Sequence, residues 1–330
     1  MTSKETLMEQ TLALLRERGK ESLKIAKQSV QQEKIGYKPL QEALNYFIEE
    51  VFKDVMQPGL LSLYCEAVGG KPSETTRVGA AMVLLVGAAD LHDDIIDGSV
   101  IKNQKPTVLG KFGKDVTILA GDALLIKGVY LLHEAIEGFS KKKAKVILEL
   151  IKQAFFNLSS AEAEEASHRG KNDLSGEQFL QIIKRKLAVA EATARIGALL
   201  GNGKVDDVET LGDLGRALGL LNTLRDEFID VFEPEELANR FEREILPLPV
   251  LNVFRDPKKR EEIMRLLESR KMTKKKTEKI VDIVMDAKET DELRRMMRSE
   301  IRTAVARLSI LKDGREAFRL MLELSLEDLQ

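Results

Sequence analysis

Three aspartates, Asp93, Asp94 and Asp97, close the stretch Ala88-Ala89-Asp90-Leu91-His92-Asp93-Asp94-Ile95-Ile96-Asp97. The run before them, Val78 to Ala89, has no proline and no polar break, which predicts the end of a buried helix. On a helix Asp93 and Asp97 share a face, and Asp90, seven before Asp97, lies on it too. Carboxylates crowded there repel one another and resist burial unless a cation neutralises them. A hard divalent ion suits them: Mg2+ takes one or two protein carboxylates and fills its shell with phosphates and water. A solvated acidic helix end explains this stretch equally well when it is taken alone.

A second acidic stretch shifts that balance. Arg225-Asp226-Glu227-Phe228-Ile229-Asp230 repeats the spacing after another largely apolar run, Leu211 to Leu224. Two such clusters, more than a hundred residues apart, can face each other across a cavity and hold metal ions between them. Asp93-Asp94-x-x-Asp97 and Asp226-Glu227-x-x-Asp230 resemble the two aspartate-rich motifs of the trans-isoprenyl diphosphate synthases, or polyprenyl synthetases. Lys105-Pro106-Thr107, Gly121-Asp122-x-Leu124-Leu125, Lys186 and Leu246-Pro247 resemble further family segments in the family's order. The resemblance runs from about Phe52 to near the C-terminus.

The elements that position these residues read as helices. Residues 1–33 form one amphipathic helix or two short ones, and Pro39 opens the next. Gln57-Pro58-Gly59 is a break or kink before Leu60 to Val68. The central helix runs from about Ser73, its expected N-cap, to Asp97. Helices follow over 115–136 and 142–168. Ser175 caps another, with Glu177 and Gln178 in its first turn, that continues to Leu200. The helix over 206–232 carries the second cluster, 234–243 is a charged loop, and shorter helices follow from Leu246. Alternating β-branched runs are absent, so the expectation is an all-α chain, a single domain over 1–330. The resemblance makes that domain an isoprenoid synthase fold, one large helical bundle around a central cavity.

Composition narrows the function. The net charge is −2, which gives no steering toward nucleic acid. The single cysteine, Cys65, excludes an intrachain disulfide, and the first residues lack the apolar core of a signal peptide, so a cytoplasmic location is expected. No unbroken apolar run reaches the length of a membrane span. The basic cluster Lys271 to Lys279 reads as a solvated segment, with peripheral contact to an anionic membrane as the weaker alternative.

The resemblance implies Mg2+ as cofactor, an allylic isoprenyl diphosphate as substrate, and a homodimer. It assigns metal binding to Asp93, Asp94, Asp97, Asp226, Glu227 and Asp230. Lys102, Lys186 and Arg243 fall on the family's cations for the allylic diphosphate, Lys186 with a catalytic part. Ala88 and Ala89 fall where the family lines the tunnel for the hydrocarbon tail; both are small, which implies a tail of C15 or longer. The small residues also read simply as a close helix contact.

The second anion site of the family is missing. Where Gly-Gly-Lys-Arg-x-Arg-Pro should end at Pro58, this chain has Asp54, Val55 and Gln57 in the Lys and Arg columns. Asn103 replaces an arginine and Val86 a histidine or glutamine; separately, Leu187 for the threonine beside Lys186 and Asn222-Thr223 for Phe-Gln alter the allylic side's geometry but not its charge. The five replacements at Asp54, Val55, Gln57, Asn103 and Val86 are the ones that bear on the second diphosphate. Those five losses fall on the isopentenyl diphosphate side while the allylic charges survive. The leading expectation is a prenyltransferase whose acceptor is not isopentenyl diphosphate and is not identified by the sequence. The alternatives are a terpene synthase on the same fold, a chain-elongating synthase with a rebuilt isopentenyl site, and a non-catalytic partner subunit. With no Trp and 5% aromatics, a cyclase pocket that stabilises cations with rings is the weaker fit.

Overall fold

The computed structural model describes residues 3–52, 55–102, 104–171, 173–268 and 272–325. Its helices are α1 (Ser3–Gln31), α2 (Lys38–Tyr46), α3 (Met56–Ala67), α4 (Thr76–Asp97), α5 (Val108–Phe112), α6 (Lys114–Ile136), α7 (Lys141–His168) and α8 (Gly176–Lys186). There follow α9 (Ala188–Leu200), α10 (Val205–Phe232), α11 (Pro234–Arg243), α12 (Leu248–Val253), α13 (Pro257–Leu267), α14 (Lys274–Met285), α15 (Lys288–Arg307) and α16 (Arg315–Leu324). A two-residue hairpin, β1 (Ile101–Lys102) and β2 (Lys105–Pro106), is the only strand pair among the described residues.

The chain divides into two compact units. The first comprises 1–149, 193–209 and 312–314; the second comprises 150–192, 210–311 and 315–330. In the first, α4 is the centre and packs most extensively on α6, with α1 and α3 alongside. The helices approach closely because glycine removes side chains at the contact. A Cβ on Gly128 of α6 would lie 3.1 Å from the Leu85 backbone nitrogen, and one on Gly87 of α4 would lie 2.9 Å from the Phe47 ring. Ala43, Leu44, Phe47, Leu84, Ala88 and Leu124 are part of the core built around this contact.

Several boundaries differ from the sequence expectation. Gln57-Pro58-Gly59 does not break the chain but lies in the first turn of α3, where a proline costs little because its N–H would be unpaired anyway. Ser73 lies in a short 3-10 turn, and α4 starts later, at Thr76. The helix capped by Ser175 has the expected capping box with Gln178, yet it ends at Lys186, and α9 begins beyond Leu187. Residues 234–243 are helical, not a loop. Pro234 sits in the first turn with Glu235 and Glu236, and Arg240 and Arg243 sit in the last, so the charges oppose the helix dipole at both ends.

The membrane expectation changes as well. α6 is long and apolar enough to cross a membrane by length and composition. Asp122 and Lys127 interrupt its apolar run, which hid it from a search for unbroken stretches. One side of α6 packs on α4, while Leu119, Ile126, Val129 and Tyr130 stand exposed.

Candidate active site

The first acidic motif ends α4 in the first unit. Gly98, at φ +67°, adopts the left-handed conformation that closes a helix, and the Ser99 N–H bonds the Asp94 carbonyl at 2.9 Å. The chain then reverses through the hairpin, with Gln104 at positive φ. This brings Lys102 back over the motif, its Nζ 2.7 Å from Asp94 Oδ1 and 3.7 Å from Asp93 Oδ2. The contact to Asp94 is a close ion pair. Asp94 is only 4% exposed. Burial raises its pKa, Lys102 opposes the rise, and Asp97 adds to it.

The neighbouring family-like segments hold this corner in place. Thr107 of Lys105-Pro106-Thr107 donates to the Ser99 carbonyl at 2.6 Å and caps α5 by accepting from the Gly110 N–H. The Tyr46 hydroxyl donates to the Pro106 carbonyl. Gly121 and Asp122 of α6 locate His92. The missing Cβ of Gly121 leaves room for the imidazole, and Asp122 Oδ1 lies 3.4 Å from His92 Nε2. Gly121-Asp122 therefore positions the residue next to Asp93.

The second motif lies on α10 in the second unit. Its middle acid departs from the sequence expectation. Glu227 is buried, and both its oxygens accept from Arg240 Nη2, at 3.0 and 3.1 Å. Oε2 also accepts from the Leu248 N–H at 2.7 Å. Asp230 Oδ2 accepts from Arg240 Nη1 at 2.7 Å, and Arg240 Nε donates to the Ile245 carbonyl at 2.5 Å. Glu227 was expected as a metal ligand; here its oxygens accept from a guanidinium and a backbone amide. Burial pushes the pKa of Asp230 up to about 6, with Glu227, Glu236 and Asp226 adding to the rise and Arg240 opposing it. Asp226 stands exposed at the solvent side of the same helix.

The expected diphosphate cations are not alike. Lys186, the last residue of α8, is held between two acids of α7: Nζ is 2.5 Å from Glu165 Oε2 and 3.0 Å from Glu162 Oε1. Burial works against its charge, but the two glutamates outweigh it and the pKa is raised. Arg243 ends α11 and is exposed. Asp54 and Asn103 lie outside the described residues. Arg240, Glu162 and Glu165 were missed in the sequence. Arg240 had one legible signal, its place one turn before Arg243 in the last turn of a helix that opens on Pro234.

Of the tunnel candidates, Ala88 is buried in the core of the first unit and Ala89 is half-buried. A cavity of about 750 Å³ opens in this unit among Val30, Leu44, Leu124, Ile126 and Tyr130.

Among the described residues, no three histidine, cysteine or acidic side chains converge as a ready-made metal cage. The donor set still suits Mg2+. Each motif presents carboxylates four residues apart, and this ion is completed by substrate phosphates and water rather than by an all-protein cage.

The polyprenyl synthetase family model matches residues 37–284. The chain belongs to the polyprenyl synthetase family. Its members are prenyltransferases, and so is this enzyme. The chain is 26% identical over 290 residues to the short chain isoprenyl diphosphate synthase of Methanothermobacter thermautotrophicus, covering 82% of this chain and 85% of that one. Its fold is that of the geranylgeranyl pyrophosphate synthetase of Pyrococcus horikoshii, with a TM-score of 0.85 at 22% identity over 97% of this chain and 99% of that one. The polyprenyl synthase of Caulobacter crescentus, whose structure is complexed with calcium and isoprenyl diphosphate, matches with a TM-score of 0.76 at 20% identity, covering 98% and 97%. The all-α isoprenoid synthase fold expected from the motifs is thus the fold of this polyprenyl synthetase.

Proposed function

We propose that this polyprenyl synthetase is Mg2+-dependent, ionises an allylic isoprenyl diphosphate of C15 or longer, and passes the prenyl group to an acceptor other than isopentenyl diphosphate. The single observation that carries the acceptor is what fills the family's second anion site. Val55 precedes α3 and packs against Gly19 of α1. Gln57 donates to the Thr193 hydroxyl at 3.4 Å, and Val86 packs on the core. These positions serve packing and a neutral hydrogen bond, and none offers a cation to a second diphosphate.

On the allylic side, Asp93 and Asp97 of α4 and Asp226 and Asp230 of α10 would hold Mg2+. The bound metal acts as a Lewis acid toward the diphosphate leaving group. Lys102 has the reach to leave Asp94 for a diphosphate oxygen, since its head is half-exposed and its stem is flexible. Arg243 supplies a fork in the open. Lys186, held by Glu162 and Glu165, adds a fixed positive point whose charge burial does not remove.

Chain elongation with isopentenyl diphosphate is the second reading, favoured by the similarity to a short chain isoprenyl diphosphate synthase and a geranylgeranyl pyrophosphate synthetase. Incubating the enzyme with Mg2+ and C10 to C25 allylic diphosphates, with and without isopentenyl diphosphate, separates the two by mass spectrometry. Diphosphate release with no longer prenyl product supports the proposal. Elongation at rates ordinary for the family replaces it with the second reading.

We also propose that the active form is a homodimer. The apolar row Leu119, Ile126 and Tyr130 on α6 is a surface for a second copy. Light scattering of the purified chain tests it, and Ile126→Asp should yield monomer.

A further inference from the structure

Each acidic motif has a cation in contact with its carboxylates, Lys102 at the first and Arg240 at the second, and these two cations are built differently; Arg225 also acts on Asp226 through its charge. Lys102 is half-exposed on a hairpin and pairs with Asp94 and, more distantly, Asp93. Arg240 is 9% exposed, and each of its guanidinium nitrogens donates a hydrogen bond. Its partners come from three places: Glu227 and Asp230 of α10, the Ile245 carbonyl, and Glu244 at 3.6 Å. Glu227 in turn binds the Leu248 N–H, so the acid and the arginine tie α10 to the segment that leads into α12. A guanidinium with this many bonds in a buried setting does not leave when a ligand arrives, because separating it would strand a buried carboxylate.

We propose that Arg240 is the positioning residue of the second acidic motif. It is a permanent counter-ion that holds Asp230 by one oxygen and keeps Glu227 out of metal coordination. It also lowers the charge of the motif, so that a divalent ion binds there weakly until a diphosphate brings the remaining ligands. The inference rests on the reading that Asp226 and Asp230 hold metal. It adds a residue that touches neither metal nor substrate and acts through Asp230. Glu227 then matters as the partner that balances Arg240, and the pair together is electrically neutral toward the metal.

That balance is testable by charge restoration. Mn2+ alone, and Mn2+ with inorganic diphosphate, are titrated into the full chain by electron paramagnetic resonance. Asp226→Asn identifies the ion that belongs to this motif. Glu227→Gln, which keeps an acceptor for the Leu248 N–H, leaves Arg240 unbalanced and should weaken that ion about tenfold or more. Arg240→Gln should tighten Mn2+ binding in the absence of diphosphate by a similar factor. The double variant Glu227→Gln/Arg240→Gln should return to within about threefold of wild type.

A double variant as weak as Glu227→Gln makes Glu227 a ligand and overturns the proposal. So does an Arg240→Gln protein that folds, by circular dichroism, and binds no tighter. If Arg240→Gln does not fold, Glu227→Gln and the double variant decide, because the double removes the stranded carboxylate. An Asp226→Asn protein with Mn2+ binding intact overturns the metal reading itself and this proposal with it. Loss of an ion in Asp226→Asn without restoration in the double variant overturns this proposal alone.

Discussion

Asp230 should cost the fold stability that its function requires. Burial and three neighbouring acids raise its pKa to about 6 although Arg240 is hydrogen-bonded to it. In the unfolded chain an aspartate titrates near 4. Between those values the folded state holds more protons than the unfolded state, so this group makes stability fall as pH rises through the window from about 4 to about 6. The difference is roughly two units, worth about 3 kcal/mol at pH 8. Asp230→Asn mimics the protonated acid and removes the penalty. At roughly 2 °C or more per kcal/mol, the variant should melt about 5 °C above wild type at pH 8 without metal. At pH 4.5 the two should differ little. Saturating Mg2+ should raise the wild type more than the variant, because the variant keeps Asp93, Asp97 and Asp226 but has lost the charged acid at 230. The variant should also lose diphosphate release. The assay is thermal unfolding by circular dichroism at pH 4.5, 6 and 8, with and without Mg2+. If Asp230→Asn melts at or below wild type at pH 8, or shows the same difference at pH 4.5, the burial argument is wrong.

Three other outcomes follow from the same geometry. Ala88→Phe, in the packed core, should cost on the order of 1–3 kcal/mol or more by overpacking; half-buried Ala89→Phe should fold and shift preference from around C20 toward shorter substrates, read by comparing allylic diphosphates of different length. Lys186→Ala should slow diphosphate release on the order of 100-fold, and the added variant Glu162→Gln, which relieves the acids left behind, should recover stability but not rate. Gly121→Ala places a Cβ 2.5 Å from His92 Nε2, so the ring must turn away; the measurable result is a weaker Mg2+ dependence at the first motif, with a melting temperature within a few degrees because a helical Gly→Ala gains about 1 kcal/mol in propensity.

What a stretch of chain does to itself was legible in the sequence. Apolar runs without proline became α4 and α10, and acids at i and i+4 fell on one face of each, because helical spacing is a covalent constraint. The capping box at Ser175 and Gln178 stood where the residue types put it, for the same local reason. The ordered set of motifs identified the family. The end of α8 at Lys186 and the lone 3-10 turn before α4 were not visible, since propensity at Leu187 and Ser73 permits a continuing helix and a cap, and packing decides otherwise.

Partner choice was settled only by tertiary structure. Asp226, Glu227 and Asp230 look interchangeable in a row, yet Glu227 points into the protein against Arg240 and Leu248 while Asp226 stays in solvent. Lys186 reads as a free cation until α7 sets Glu162 and Glu165 beside it. Ala88 and Ala89 are identical neighbours, and one lies in the core while the other lies at its edge. Charge and size are written in the residue, but whether a charge is balanced, buried or available depends on which side of its helix faces another, and that is fixed by how the helices pack.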